Sequence, residues 1–263
     1  MLVSTFLQTT FQTDYPKLLH LFHTFFSRVS SLGTAQGSEA HPANEWLVLK
    51  KALTHIENAY LQRSLSKMFD PINTSFSGGG KPLSQNAAGN ILRIFASELE
   101  VASFDHNLVK SAARLVAKSL SLLCVSSEKL VASDSNGFFI TDFSTLSHAQ
   151  ALNIDIANSV FVVYDGVWKL MEGQPADVLA VAADSLRTAQ QLIASIVEPL
   201  FFGMVESLEG VLIKIHQEDY SVLALAAQQL SPLACFFRPL PTFLAPASRL
   251  SSVKLLICSA PHF

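Results

Sequence analysis

Three short stretches carry residues whose types and spacing could do chemistry. "SFSGGGKP", Ser75 to Pro82, places Gly80-Lys81 after two further glycines, a pairing that phosphate-binding loops also carry. A Walker-type loop needs G-x-x-x-x-G-K followed by Ser or Thr, whose hydroxyl holds magnesium. Here Pro82 follows Lys81, Ser75 stands where the first glycine belongs, and no strand pattern precedes the loop. The stretch reads as a flexible joint between helices. His20 and His23 lie three apart, so one helix face could present both imidazoles to a metal. No second histidine pair and no acidic cluster accompanies them, and they read as partly exposed residues at the edge of an aromatic face. "HQED", His216 to Asp219, sets an imidazole beside two carboxylates, the parts of an acid–base pair, at the polar end of a long helical pattern. No nucleophile elbow, dinucleotide fingerprint or Cys/His signature occurs. No catalytic residue, metal site or cofactor is expected.

The elements that must position these residues are helical. In "YPKLLHLFHTFFSRVSS", residues 15 to 31, Pro16 sits in a first turn, where its missing N–H costs least. Leu18, Leu21, Phe22, Phe25, Phe26 and Val29 make a wide apolar face. Residues 33 to 43 are rich in Gly, Ser and Ala and read as a loop. A second helix is expected from about Asn44 to Phe69, ending at Asp70-Pro71 because proline disfavours helical conformation in the residue before it. A third is expected over Gln85 to Ser103. Asp105 or Asn107 can cap a fourth, with Leu108, Ala112, Leu115, Ser119, Leu122 and Ser126 at steps of four and three. A fifth spans about Thr145 to Met171, with the β-prone "SVFVVY" of 159 to 164 inside its helical pattern. Pro175 opens a sixth, whose seam is Leu179, Ala182, Leu186, Ala189, Ile193, Ile196 and Leu200. The seam resumes at Met204, Leu208, Val211 and Ile215 after a phase shift beside Pro199, where an interior proline removes a hydrogen bond. The fold class is all-α, with long antiparallel helices and short joints.

Composition agrees with this reading. Of 263 residues, 49% are hydrophobic and only 15% charged, below the ~25% of an average soluble protein, which points to extensive burial in the fold or against partners. The net charge of −3 gives no electrostatic reason to expect nucleic acid. Cys124, Cys235 and Cys258 are too few and too scattered for a disulfide framework and fit a reducing compartment. No apolar run approaches a membrane span, and the first residues lack the basic region of a secretory signal. A cytosolic setting is expected. Every Asp and Glu lies at or before Asp219, while the residues beyond carry only Arg238, Arg249 and Lys254.

Several segments together resemble subunit 5 of the conserved oligomeric Golgi complex. They are "TDYPKLLHLF" (13 to 22), "AYLQRSLSKMFDPIN" (59 to 73), "ASELEVASFDHNLVKSAARLVAKSL" (96 to 120) and "VLIKIHQEDYS" (211 to 221), in that family's order. The resemblance covers roughly residues 10 to 221 and looks like an internal portion of a longer protein. It implies elongated, stacked helical bundles of the multisubunit tethering (helical rod) type over residues 1 to 221. It further implies a non-enzymatic role in tethering retrograde vesicles at the cytosolic face of the Golgi. The implied partners are other subunits of the complex, especially subunit 7, with the Golgi membrane met peripherally and no small-molecule substrate. The family offers no catalytic residues. Tyr60, Phe69, Asp70, Pro71, His216, Glu218 and Asp219 lie in its recognisable motifs and are the candidate interaction or joint residues. Residues 222 to 263, with Pro232, Pro239, Pro241, Pro246 and Pro261, look unlike the family and read as a loosely attached, irregular tail. The competing class is a helical small-molecule-binding or catalytic protein using an aromatic-rich interior. A polar-lined cavity near Trp168 or His148 would favour it.

Overall fold

Helices account for nearly all of the described chain. The computed structural model describes residues 10, 13–36, 42–78, 80–134, 137–138 and 146–217. Among the described residues six helices follow one another: α1 (Tyr15–Gln36), α2 (Pro42–Ser77), α3 (Gln85–Ala102), α4 (His106–Glu128), α5 (His148–Glu172) and α6 (Ala176–Gln217). No strand occurs among the described residues, and "SVFVVY" is helical within α5. The expected tail over 222 to 263 lies outside the described residues, as do Glu218 and Asp219.

The starts of α3 and α4 are fixed by side chains. Ser84 accepts a hydrogen bond from the Ala87 N–H, and Asp105 one from the Leu108 N–H at 2.8 Å. Each satisfies an amide that the first helical turn leaves without a partner. Between α2 and α3, Gly80 has φ of 77°, a left-handed conformation that glycine adopts without penalty. The glycine stretch is therefore a helix-to-helix connection, running from Gly78 to Ser84.

Two expectations about helix ends are corrected. Asp70-Pro71 does not end α2, which continues through Pro71 to Ser77. An interior proline costs roughly 3 kcal/mol. Met68 and Ile72 flank it one turn apart, and both are fully buried. Burying two such side chains contributes ~1.5 to 3 kcal/mol each, enough to carry the helix across. The Ser75 hydroxyl also donates to the Pro71 carbonyl at 2.7 Å. Residues 33 to 43 are likewise not one loop, since α1 extends to Gln36 and α2 begins at Pro42. Pro199 leaves α6 unbroken in the same way.

Packing divides the chain into two units, one of Met1–Leu130 with Asp155–Ala194, the other of Val131–Ile154 with Ser195–Phe263. In the first unit α2 packs against α1, α3 and α4, and α3 against α4. Its buried side chains include Leu19, Met68, Ile72, Ile91, Phe95, Leu108, Val116 and Leu120. From α5 it takes Val160, Val163 and Val167, and from α6 Val178, Ala182, Leu186, Ala189 and Ile193. Gly166 lets α5 meet α3 closely, because a Cβ there would lie 2.5 Å from the Leu92 methyls. Among the described aromatic side chains only Tyr15 and Phe95 are buried, so the core is aliphatic.

In the second unit Asn153 organises the approach to α5. It is fully buried, and its Oδ1 accepts from the Ala132 N–H at 2.9 Å. Its Nδ2 donates to the carbonyls of Ala132, at 3.0 Å, and Gly137, at 3.3 Å. A Cβ on Gly137 would stand 2.5 Å from the Ala132 oxygen, so this turn excludes larger residues. Asn153→Leu strands these backbone groups and is expected to cost about 2 kcal/mol. A urea titration of the two proteins checks this.

Candidate interaction site

The expected site residues fall in two places. Tyr60, Phe69, Asp70 and Pro71 lie on the second half of α2, and His216 lies in the last turn of α6. Tyr60, Phe69 and Pro71 are half-buried, while Asp70 and His216 are exposed.

Tyr60 takes part in a polar cluster that the sequence reading missed. Tyr60, Ser64 and Lys67 follow one face of α2 at steps of four and three, and meet Glu98 of α3. Glu98 is 7% exposed. Its Oε2 accepts from Ser64 Oγ at 2.7 Å and from Tyr60 Oη at 3.3 Å, and its Oε1 from Lys67 Nζ at 2.6 Å. A buried carboxylate survives here because it is paired and hydrogen-bonded. Tyr15 of α1 extends the arrangement, with its ring 5.8 Å from that of Tyr60 and its hydroxyl donating to Glu57 at 3.2 Å. The cluster ties α1, α2 and α3 together.

Both tyrosines titrate well above the ordinary phenol range. Burial is the chief cause, followed by the nearby charge of Glu57 for Tyr15 and of Glu98 for Tyr60. A raised folded value means the neutral phenols stabilise the fold below about pH 10, the unfolded value, and that this contribution is lost as pH rises through the folded one. Replacing both by Phe should therefore flatten the fall of Tm above about pH 10, read by circular dichroism. An equally steep fall would show that the phenols are not linked to folding.

The histidine pair of α1 is also accounted for by packing. His23 Nε2 lies 3.0 Å from Oδ2 of Asp105, the N-cap of α4. His20 meets Phe104 edge-on, with ring centroids 5.2 Å apart. Both pin α1 to the α3–α4 turn. On the surface, His106 and Lys110 of α4 reach Asp177 of α6 at 2.8 and 3.1 Å. The hydrogen bond from Lys110 chiefly draws the Asp177 carboxyl below its usual range. Cys124 is buried, and burial pushes its thiol up to about 11. Trp168 and His148, the markers of the ligand-binding alternative, are exposed. Among the described residues no cluster of three His, Cys, Asp or Glu could hold a metal, and no helix is long and apolar enough to cross a membrane.

Comparison with known proteins gives a single family. A mouse protein named conserved oligomeric Golgi complex subunit 5 is 28% identical over 274 residues, covering 92% of this chain and 33% of its own length. That coverage exceeds residues 1 to 221, so the match runs on past Ser221. The subunit 5 of Arabidopsis thaliana is 23% identical over 82% of this chain and 26% of its own length. That of Drosophila melanogaster is 22% identical over 76% of this chain and 27% of its own length. No protein-family model and no solved structure matches the chain. The chain spans a third or less of the length of these relatives. Over most of its own length the chain is similar in sequence to proteins named subunit 5 of the conserved oligomeric Golgi complex in a mammal, an insect and a plant.

Proposed function

We propose that this chain is a structural segment of a Golgi vesicle-tethering complex, acting in retrograde intra-Golgi transport through assembly with other subunits. Subunit 7 is the proposed neighbour, and the cytosolic face of the Golgi membrane the proposed place of action. The observation that carries the reading is the match to three subunit 5 proteins over most of the chain. The disposition of polar groups agrees with it. The Glu98 cluster, the His23–Asp105 pair and Asn153 each join elements of the fold. No enzymatic step is proposed. The aliphatic core does not favour an aromatic-lined binding cavity. The candidate residues Phe69, Asp70, Pro71 and His216, with Glu218 and Asp219 beside it, are proposed as the interaction segments.

The test is affinity purification of the tagged chain from cells depleted of their own subunit 5. Recovery of subunit 7 and its companions in stoichiometric amounts is the expected result. Recovery of the folded chain without any subunit of the complex would overturn the proposal.

A further inference from the structure

Two helices present apolar stripes to water, and the charges on those stripes are of opposite sign. On α1, Leu21, Phe25 and Val29 are 66%, 57% and 39% exposed. At 100° per residue they share an arc of about 120° with Lys17 and Arg28, both exposed. Nothing acidic lies on α1 from Tyr15 to Gln36. On the second half of α6, Phe201, Phe202, Leu212 and Ile213 are 60%, 67%, 55% and 57% exposed. They share an arc of about the same width with Glu198 and Glu209, also exposed. From Glu198 to Ile213 the helix carries no lysine or arginine.

The charges match in spacing as well as in sign. Lys17 and Arg28 are eleven residues apart, and so are Glu198 and Glu209. Eleven residues make three helical turns to within about 20°, so each pair lies along one line of its helix, ~16.5 Å apart. Two cations therefore meet two carboxylates whether the helices run parallel or antiparallel. In the antiparallel register Phe25 comes level with Phe201, and Leu21 with Val205. Neither stripe suits its own copy, because like charges would then face each other across the contact. Lys17 lies 2.9 Å from Asp14 Oδ1, but those side chains are 80% and 45% exposed, so the pair is worth little and is readily exchanged. One chain carries both halves of a complementary contact, and a second copy is the occupant that fits both.

We propose that α1 of one copy docks on the second half of α6 of another, apolar stripe on apolar stripe, with Lys17 and Arg28 meeting Glu209 and Glu198. The contact goes beyond the family reading and does not rest on it.

The test follows the purified full chain by sedimentation velocity over a series of concentrations up to ~0.5 mM, where even weak self-association is populated. Mass that rises with concentration is the expected result. Lys17→Glu with Arg28→Glu should weaken self-association at least about tenfold, and Glu198→Lys with Glu209→Lys should do the same. These two variants move the net charge of −3 in opposite directions, so a loss shared by both is not a general charge effect. Combining all four substitutions keeps the net charge, sets opposite signs face to face again, and should restore the original association. All four positions are exposed, and circular dichroism checks that helix content is kept. A chain that stays monomeric throughout the series would overturn the proposal. Association unchanged in both double variants would overturn it too, by placing the contact on another surface. So would a fourfold variant as weak as the doubles, because these charges would then not meet.

Discussion

Ile193→Asp is expected to lower the unfolding free energy by about 3 to 5 kcal/mol, the range for a buried charge left without a partner. Ile193 is 6% exposed and lies on the seam of α6 with Ala182, Leu186 and Ala189, all buried. The carboxylate would lose its water and gain no cation, and removing the branched side chain adds a packing deficit. Arg187→Ala is the control on the same helix. Its guanidinium is 67% exposed and lies 3.8 Å from Asp184, itself 96% exposed, so the loss should stay within about 0.5 kcal/mol. Guanidinium titrations of both variants, with recovery of partner subunits measured alongside, check the difference. Equal stabilities would show that the seam does not hold α6 in place.

The seam that motivates this experiment was legible because helical periodicity is a local property. Of the expected α6 positions, Ala182, Leu186, Ala189, Ile193 and Ile196 are buried. Met204, Leu208, Val211 and Ile215, beyond Pro199, are half-buried. In α4 the spacing fits at first, with Leu108, Ala112, Leu115 and Ser119 buried. It then drifts, so that Leu123 and Ser127 are buried where Leu122 and Ser126 were expected. A straight helix advances by 3.6 residues per turn, and a strict three-and-four alternation runs out of phase with it over several turns.

Helix ends were less legible for a different reason. The sequence signal at Asp70-Pro71 is a backbone preference of the chain by itself, and the burial of Met68 and Ile72 is a tertiary gain that outweighs it. The caps Ser84 and Asp105 are local, and of these Asp105 was anticipated. Tyr60 is marked in the sequence by the family resemblance and not by any visible chemistry. Its partner Glu98 lies 38 residues away on α3, and no local spacing pairs the two. Asn153 was missed likewise, because its partners at Ala132 and Gly137 belong to a turn whose path periodicity does not describe.

Lys67→Met is expected to cost about 3 kcal/mol, near the lower bound for breaking a buried ion pair, whereas Glu98→Gln should cost about 1 kcal/mol. The asymmetry follows from the environments of the two groups. Lys67 is 55% exposed, so when Glu98 becomes neutral the ammonium turns to water at little loss. The Glu98 side chain is 9% exposed and cannot do the same once Lys67 is gone. Glutamine in its place still offers an oxygen to the Ser64 and Tyr60 hydroxyls, which would keep that part of the cluster satisfied. The double variant should resemble Glu98→Gln alone, since removing the ammonium no longer strands a charge. A double-mutant cycle by urea denaturation at neutral pH reads this as a coupling of at least about 1.5 kcal/mol. Additive losses would mean that Lys67 does not neutralise Glu98, and that the hydroxyls alone hold the carboxylate between α2 and α3.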